Sequence, residues 1–282
     1  MQHPNTLAER ARAFLVAMHG DVALSHVTAA QLWGLPLPQR LESQEELDVM
    51  CAPKAGPVKR KGCIGHRGLT RRTVVTHCGV AVTGLADTWV DLGEIAKQGL
   101  DLDDLVVAGD VVARRLDESH DLGAGVKMMR TALQGRVRPR GKAVLAQALT
   151  LISPRSKSPM ETRARLMFRR GGLPTPELNV NVEFDGDGDG GGEGEGNGGA
   201  GWMLEGDFVW RRQRVIGEYQ GKHHTDIRQR AVDVARRHLA EDEGWTFVEI
   251  FAGDVYTRPK RIAMLRRLGR ELGMPDSDLN LR

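Results

Sequence analysis

The chain has 282 residues with 40% hydrophobic and 27% charged residues, which suits one large or two ordinary domains and excludes disorder throughout. Its net charge is +3, a mild basic bias that does not by itself indicate a nucleic-acid partner. Cys51, Cys63 and Cys78 form no Cys-x-x-Cys pair, which argues against structural zinc or a disulfide framework and for a reducing, cytoplasmic setting.

The first stretch, MQHPNTLAERARAFLVAMHG, carries Glu9 and two nearby arginines and has no long apolar run, so it does not read as a signal peptide. Leu7 to Met18 reads as a short amphipathic helix. SHVTAAQLWGLPLP follows, with Ser25 or Thr28 as cap and Gly34 and Pro36 as stops. ELDVMCAP predicts a strand, and TRRTVVTHCGVAVT one or two strands around Gly79. LADTWVDLGEIA and LDLDDLVVAGDVVARRL have helical spacing, and smaller helices are expected around GVKMMRTAL and GKAVLAQALTLI. Acids interrupt every apolar run, so no membrane partner is expected. His66 and His77 with Cys63 and Cys78 lack the spacing of a standard metal site, and His26 reads as a structural histidine. Asp87 and Asp91, four apart beside Trp89, are explained by capping and solvation. Residues 1–150 are thus expected to form a smaller α+β domain, followed by a linker at 151–157.

A second domain is expected over 158–282. SPME reads as a capping box, with Ser158 as cap, Pro159 in the first turn and Glu161 returning to the cap amide. ELNVNVEF predicts a strand. The tract 185–200, DGDGDGGGEGEGNGGA, has nothing apolar to bury and lacks the frame of a calcium loop, so a disordered loop is expected. WMLEGDFVW and RVIGEYQG predict two strands joined by a turn at Arg211 to Gln213. A helix to Gly244, a strand WTFVEIFA and a terminal helix complete an α/β unit with a central mixed sheet.

Charge is segregated within this half. Seven acids and no Lys or Arg lie between Glu183 and Glu205, whereas six basic residues and no acid lie between Arg258 and Arg270. Asp207 and Glu218 sit in consecutive apolar strands, where a charge needs a partner. A bulge or twist would bring both carboxylates to one end of the sheet, and two adjacent carboxylates call for a cation such as Mg²⁺. Lys222 could instead neutralise them as a salt-bridge partner. Gln220 shares the strand face of Glu218 and could orient water or ligate the metal. His223 or His224 could act in acid–base chemistry or bind phosphate.

These residues carry a resemblance. SPME with Glu161, GDFVW with Asp207, EYQGKHH with Glu218, Gly221 and His224, then Asp233, Arg236, Arg237 and Gly244-Trp245, occur in the order found in the Vsr-like branch of the PD-(D/E)XK nuclease superfamily. The resemblance covers Ser158 to about Gly273. It implies a restriction-endonuclease-like fold and a DNA endonuclease dependent on Mg²⁺, or Mn²⁺ in its place. Glu161, Asp207 and Glu218 would then be metal ligands, with Gln220 and His224 beside them. Lys222, Arg236, Arg237, Arg258, Lys260 and Arg261 would contact the DNA backbone. Gln220 departs from the family pattern, which has Lys or Asp there. The first half resembles regions that accompany such domains and are similar to AbiEi-type antitoxins, through LSHVTAAQLWGLPLP and GLADTWVDL. The alternative expectation is therefore a catalytically inactive DNA-binding regulator, with a toxin-like protein partner if it acts as an antitoxin.

Overall fold

In the computed structural model, residues 6–18, 20–53, 56–184, 202–221 and 236–281 are described. The acidic glycine-rich tract, Lys222, His223, His224 and Asp233 lie outside them. The chain divides into two compact units, Met1–Pro154 and Arg155–Arg282. Both are mixed α/β, and the first, expected to be the smaller, is the longer.

The first unit is built on a five-stranded mixed sheet of order β3-β2-β1-β5-β4. Its strands are β1 (Val22–Leu24), β2 (Leu47–Cys51), β3 (Cys63–Arg67), β4 (Val74–His77) and β5 (Val80–Thr83). β2 is buried along its whole length between antiparallel β1 and parallel β3. β1 and β3 are too short or too polar to stand out from their periodicity. The β4–β5 connection is a two-residue turn at Cys78 and Gly79, both with positive φ (51° and 73°), as tight hairpins of this twist require.

One face of the sheet carries Leu24, Val49 and Val82 against Ala11 of the Leu7–Val16 helix. The helices Leu85–Glu94, Leu102–Glu118, Ala124–Gln134 and Lys142–Leu149 pack with one another. Trp89 is fully buried among them and its indole N–H donates to the Leu105 carbonyl at 2.8 Å.

The second unit has a four-stranded sheet of order β6-β7-β8-β9: β6 (Glu177–Phe184), β7 (Trp202–Trp210), β8 (Val215–Tyr219) and β9 (Thr246–Ile250). The first three run antiparallel, and β9 is parallel to β8. Phe208, Trp210, Val215, Val248 and Ile250 share a core with Phe168 of the Pro159–Arg170 helix and with Leu265 and Leu268 of the Arg258–Glu271 helix. Val182, Phe184, Val209, Ile216 and Phe247 pack with Ala240, in the helical segment 236–242.

Alternation along β6 and β7 is broken at one level. Leu178 and Phe208 belong to the first of these cores, whereas Val180 and Val182 on β6 pack with the second. Between them, Asn179 takes a left-handed conformation (φ 48°), and no ladder pairing joins it to Asp207. An irregularity of this kind re-aims side chains that strict pleating would send elsewhere.

Candidate functional site

The irregularity at Asn179 and Asp207 faces the start of the Pro159–Arg170 helix. Ser158 caps that helix, its hydroxyl accepting the Glu161 amide at 3.2 Å. Glu161 does not complete the box expected from the sequence. Its Oε2 accepts from the Lys157 amide and from Asn179 Nδ2, both at 2.8 Å. The carboxylate is thereby drawn towards β6, and at 7% exposure it is one of the few buried acids in this unit.

Asp207 reaches across to β8, where its Oδ2 accepts the Tyr219 amide at 2.8 Å. Burial, opposed by that hydrogen bond, pushes its carboxyl up to about 6. Repulsion from Glu161 and Glu205 adds to the rise, and Lys157 opposes it. Lys157 is itself ion-paired with Glu205. A half-buried acid raised by two other carboxylates is a site short of positive charge.

Glu218 is placed differently. The register Phe208↔Gly217 would set Asp207 opposite Glu218 one step further along. Glu218 also lies within the field of Arg237, which is ion-paired with Glu249 at 3.0 Å and Glu241 at 3.2 Å. Among the described residues, Glu161, Asp207 and Glu218 do not form a group whose ligand atoms lie within 4.8 Å of one another. Glu161 lies near enough to Asp207 to repel its charge, and the three carboxylates are not gathered into one compact ligand set.

Gln220 is exposed, and its backbone N–H donates to the Ile250 carbonyl at 2.8 Å. Of the expected backbone-binding cations, Arg236, Arg258 and Lys260 are exposed. Arg261 donates to the Val255 carbonyl at 3.3 Å. Arg237 is engaged by its two glutamates and lies 5.0 Å over the Phe247 ring.

A second cluster, in the first unit, joins His26 and His66, which nothing in the sequence paired, to Asp48. His66 Nε2 lies 2.7 Å from Asp48 Oδ1, and the His26 and His66 rings stack with centroids 3.7 Å apart. Together His26, Asp48 and His66 could hold a metal ion. Asp87 and Asp91 are also not solvated, as their spacing suggested, but buried. Arg136 Nη2 contacts Asp87 at 2.6 Å, and Arg72 Nη2 contacts Asp91 at 2.7 Å and Glu94 at 3.0 Å. Burial raises the Asp91 carboxyl to about 6 against the pull of both guanidiniums. The only sequence signal for this network was the two acids lying one helical turn apart, a spacing that says nothing of partners 15 or more residues away.

Two uncharacterized proteins of Mycobacterium tuberculosis, MT2308 and Rv2248 from different strains, are each 31% identical to the chain over 134 residues. The match covers 47% of this chain and 44% of each relative, so the chain spans less than half the length of the curated relatives it matches. No family model matches the chain. No solved structure matches it either.

Proposed function

We propose that the second unit is a restriction-endonuclease-like domain of the PD-(D/E)XK type that hydrolyses phosphodiester bonds of DNA with a divalent metal, Mg²⁺ or Mn²⁺. The observation that carries this reading is the approach of Glu161, from a helix start, to Asp207, from a strand whose pleat is broken at that residue. Three antiparallel strands followed by a parallel fourth, with helices before and after, support it as an architecture.

The donors present are carboxylate and amide oxygens, which suit a hard divalent cation. Asp207, raised by burial and by neighbouring acids, would recover its ordinary acidity beside such an ion. Glu161, Asp207 and Glu218 would hold the metal. When bound, the ion polarises a phosphodiester and lowers the pKa of water. Asn179 and the Lys157 and Tyr219 amides fix the two carboxylates in place. Gln220 lies at the open end of β8, where its amide can position water.

The position of Glu218 favours a second reading, a non-cleaving DNA-binding regulator that retains the fold. One experiment separates the two. Purified full-length protein should nick supercoiled DNA with Mg²⁺ or Mn²⁺, and Asp207→Ala and Glu218→Ala should each reduce cleavage at least a hundredfold. DNA binding that persists in EDTA, with no hydrolysis under any metal, would favour the regulator. Undiminished cleavage in both variants would overturn the site.

A further inference from the structure

The first unit contains a cavity of about 450 Å³ whose lining includes six arginines, Arg67, Arg71, Arg72, Arg136, Arg138 and Arg140, and a single acid, Glu94. His26 and His66 also line it. Arg72 and Arg136 are partly neutralised by Asp87, Asp91 and Glu94. The Arg71 side chain donates to the Gly135 carbonyl at 3.3 Å. Among the described residues, Arg67, Arg138 and Arg140 have no ion-pair partner. Concentrating so many like charges in one concavity is unfavourable unless an anion enters it.

Two further features mark a built site. The Arg136 side chain is only 3% exposed and is fixed in the cavity wall by Asp87, 2.6 Å from its Nη2. The backbone is also strained around the cavity: His26 (φ 46°) and Arg138 (φ 49°) both adopt left-handed conformations that residues with a side chain rarely take. Such strain persists where the surrounding structure imposes it, and it concentrates at ligand clamps.

We propose that this cavity binds a small phosphorylated molecule through a diphosphate group. Guanidinium forks match phosphate oxygens in pairs, and arginines converging from β3, from the 69–72 turn and from the 136–140 segment would surround two adjacent phosphoryl groups. The volume lies within the roughly 300–1,000 Å³ usual for small-molecule pockets, and a duplex could not enter it. The same geometry weighs against a metal at His26, Asp48 and His66. Two imidazoles stacked face to face cannot both direct an in-plane lone pair at one ion, and the arginines make the surroundings hostile to a cation. This proposal is independent of the nuclease reading, which concerns the other unit.

Inorganic pyrophosphate titrated into the full-length protein at constant ionic strength is the direct test, read by calorimetry and by melting temperature. Saturable binding at micromolar concentration is expected, at least tenfold tighter than sulfate, with competition by nucleoside diphosphates. Arg138→Ala and Arg140→Ala are exposed changes that relieve like-charge repulsion, so each should leave the unliganded melting temperature equal to or slightly above the parent's while weakening pyrophosphate binding about tenfold. Equal response to sulfate, unchanged affinity in both variants, or equal competition by an oligonucleotide lacking a terminal phosphate would overturn the proposal. So would Zn²⁺ or Mn²⁺ stabilising the protein in a manner lost in His66→Ala.

Discussion

Asp207 illustrates how a single residue can set function against stability. Its folded pKa, about 6, lies above its ordinary value of 3.8, so the folded chain binds this proton more tightly than the unfolded chain. Its contribution to stability is fully present below about pH 4 and is lost as pH rises through 6. Above that, an ionised, half-buried carboxylate opposes folding. Asp207→Asn can still accept the Tyr219 amide through its carbonyl oxygen but carries no charge. The variant should therefore melt a few degrees higher at pH 7.5, roughly 1 kcal/mol once screening at a partly exposed group is allowed for. No gain is expected at pH 4. Mn²⁺ should raise the melting temperature of the parent protein and not that of the variant. A parent-like melting temperature for Asp207→Asn at pH 7.5 would mean that the carboxylate is already neutralised without metal.

At the scale of elements, the helical layer of the first unit depends on close approach. A Cβ at Gly125 would lie 2.3 Å from the Ala113 carbonyl oxygen, so the Leu102–Glu118 and Ala124–Gln134 helices touch there with backbone against backbone. No rotamer change can relieve a clash with a carbonyl. Gly125→Ala should push the helices apart at a cost of about 1–3 kcal/mol, seen as a lower denaturant midpoint with little change in slope. Gly123, two residues earlier, has φ 84° but open space around it. Gly123→Ala should cost only its backbone strain, and a larger loss there than at Gly125 would refute the contact argument. In the second unit, the corresponding device is the Asn179 irregularity, where one left-handed residue interrupts the pairing of two strands opposite Asp207, whose carboxylate accepts the Tyr219 amide on β8.

For the whole molecule, the separation of the cores matters more than the number of elements. Leu24, Val49 and Val82 belong to one sheet, and Phe208, Val248 and Ile250 to another. Each unit is long enough to bury a core of its own. Expressed separately, 1–154 and 155–282 should each give a cooperative thermal transition. Metal-dependent cleavage should stay with the second fragment and pyrophosphate binding with the first. A fragment that is unfolded alone would show that its stability depends on the rest of the chain. Among the described residues, no helix is long and apolar enough to cross a membrane.

Local chemistry was legible along the chain wherever the signal was local. Ser158 followed by Pro159 announced a helix start, the Arg211 to Gln213 turn separated two apolar strands, and strand character showed on either side of Gly79, where one strand or two stayed open, because capping, turn geometry and alternation act over a few residues. The charges embedded at Asp207 and Glu218 were visible for the same reason. What their carboxylates face was decided by tertiary structure. Glu161 was read as closing its own cap, yet its carboxylate accepts from Asn179, 18 residues away, and that of Asp207 accepts from the Tyr219 amide, 12 residues away. The arginine-lined cavity was hidden more completely. Arg67, Arg72, Arg136 and Arg140 are dispersed over more than 70 positions, and no local window links them to His26 or to Asp91. Periodicity records which side of an element meets the core; only the packing of distant elements decides which charges meet one another.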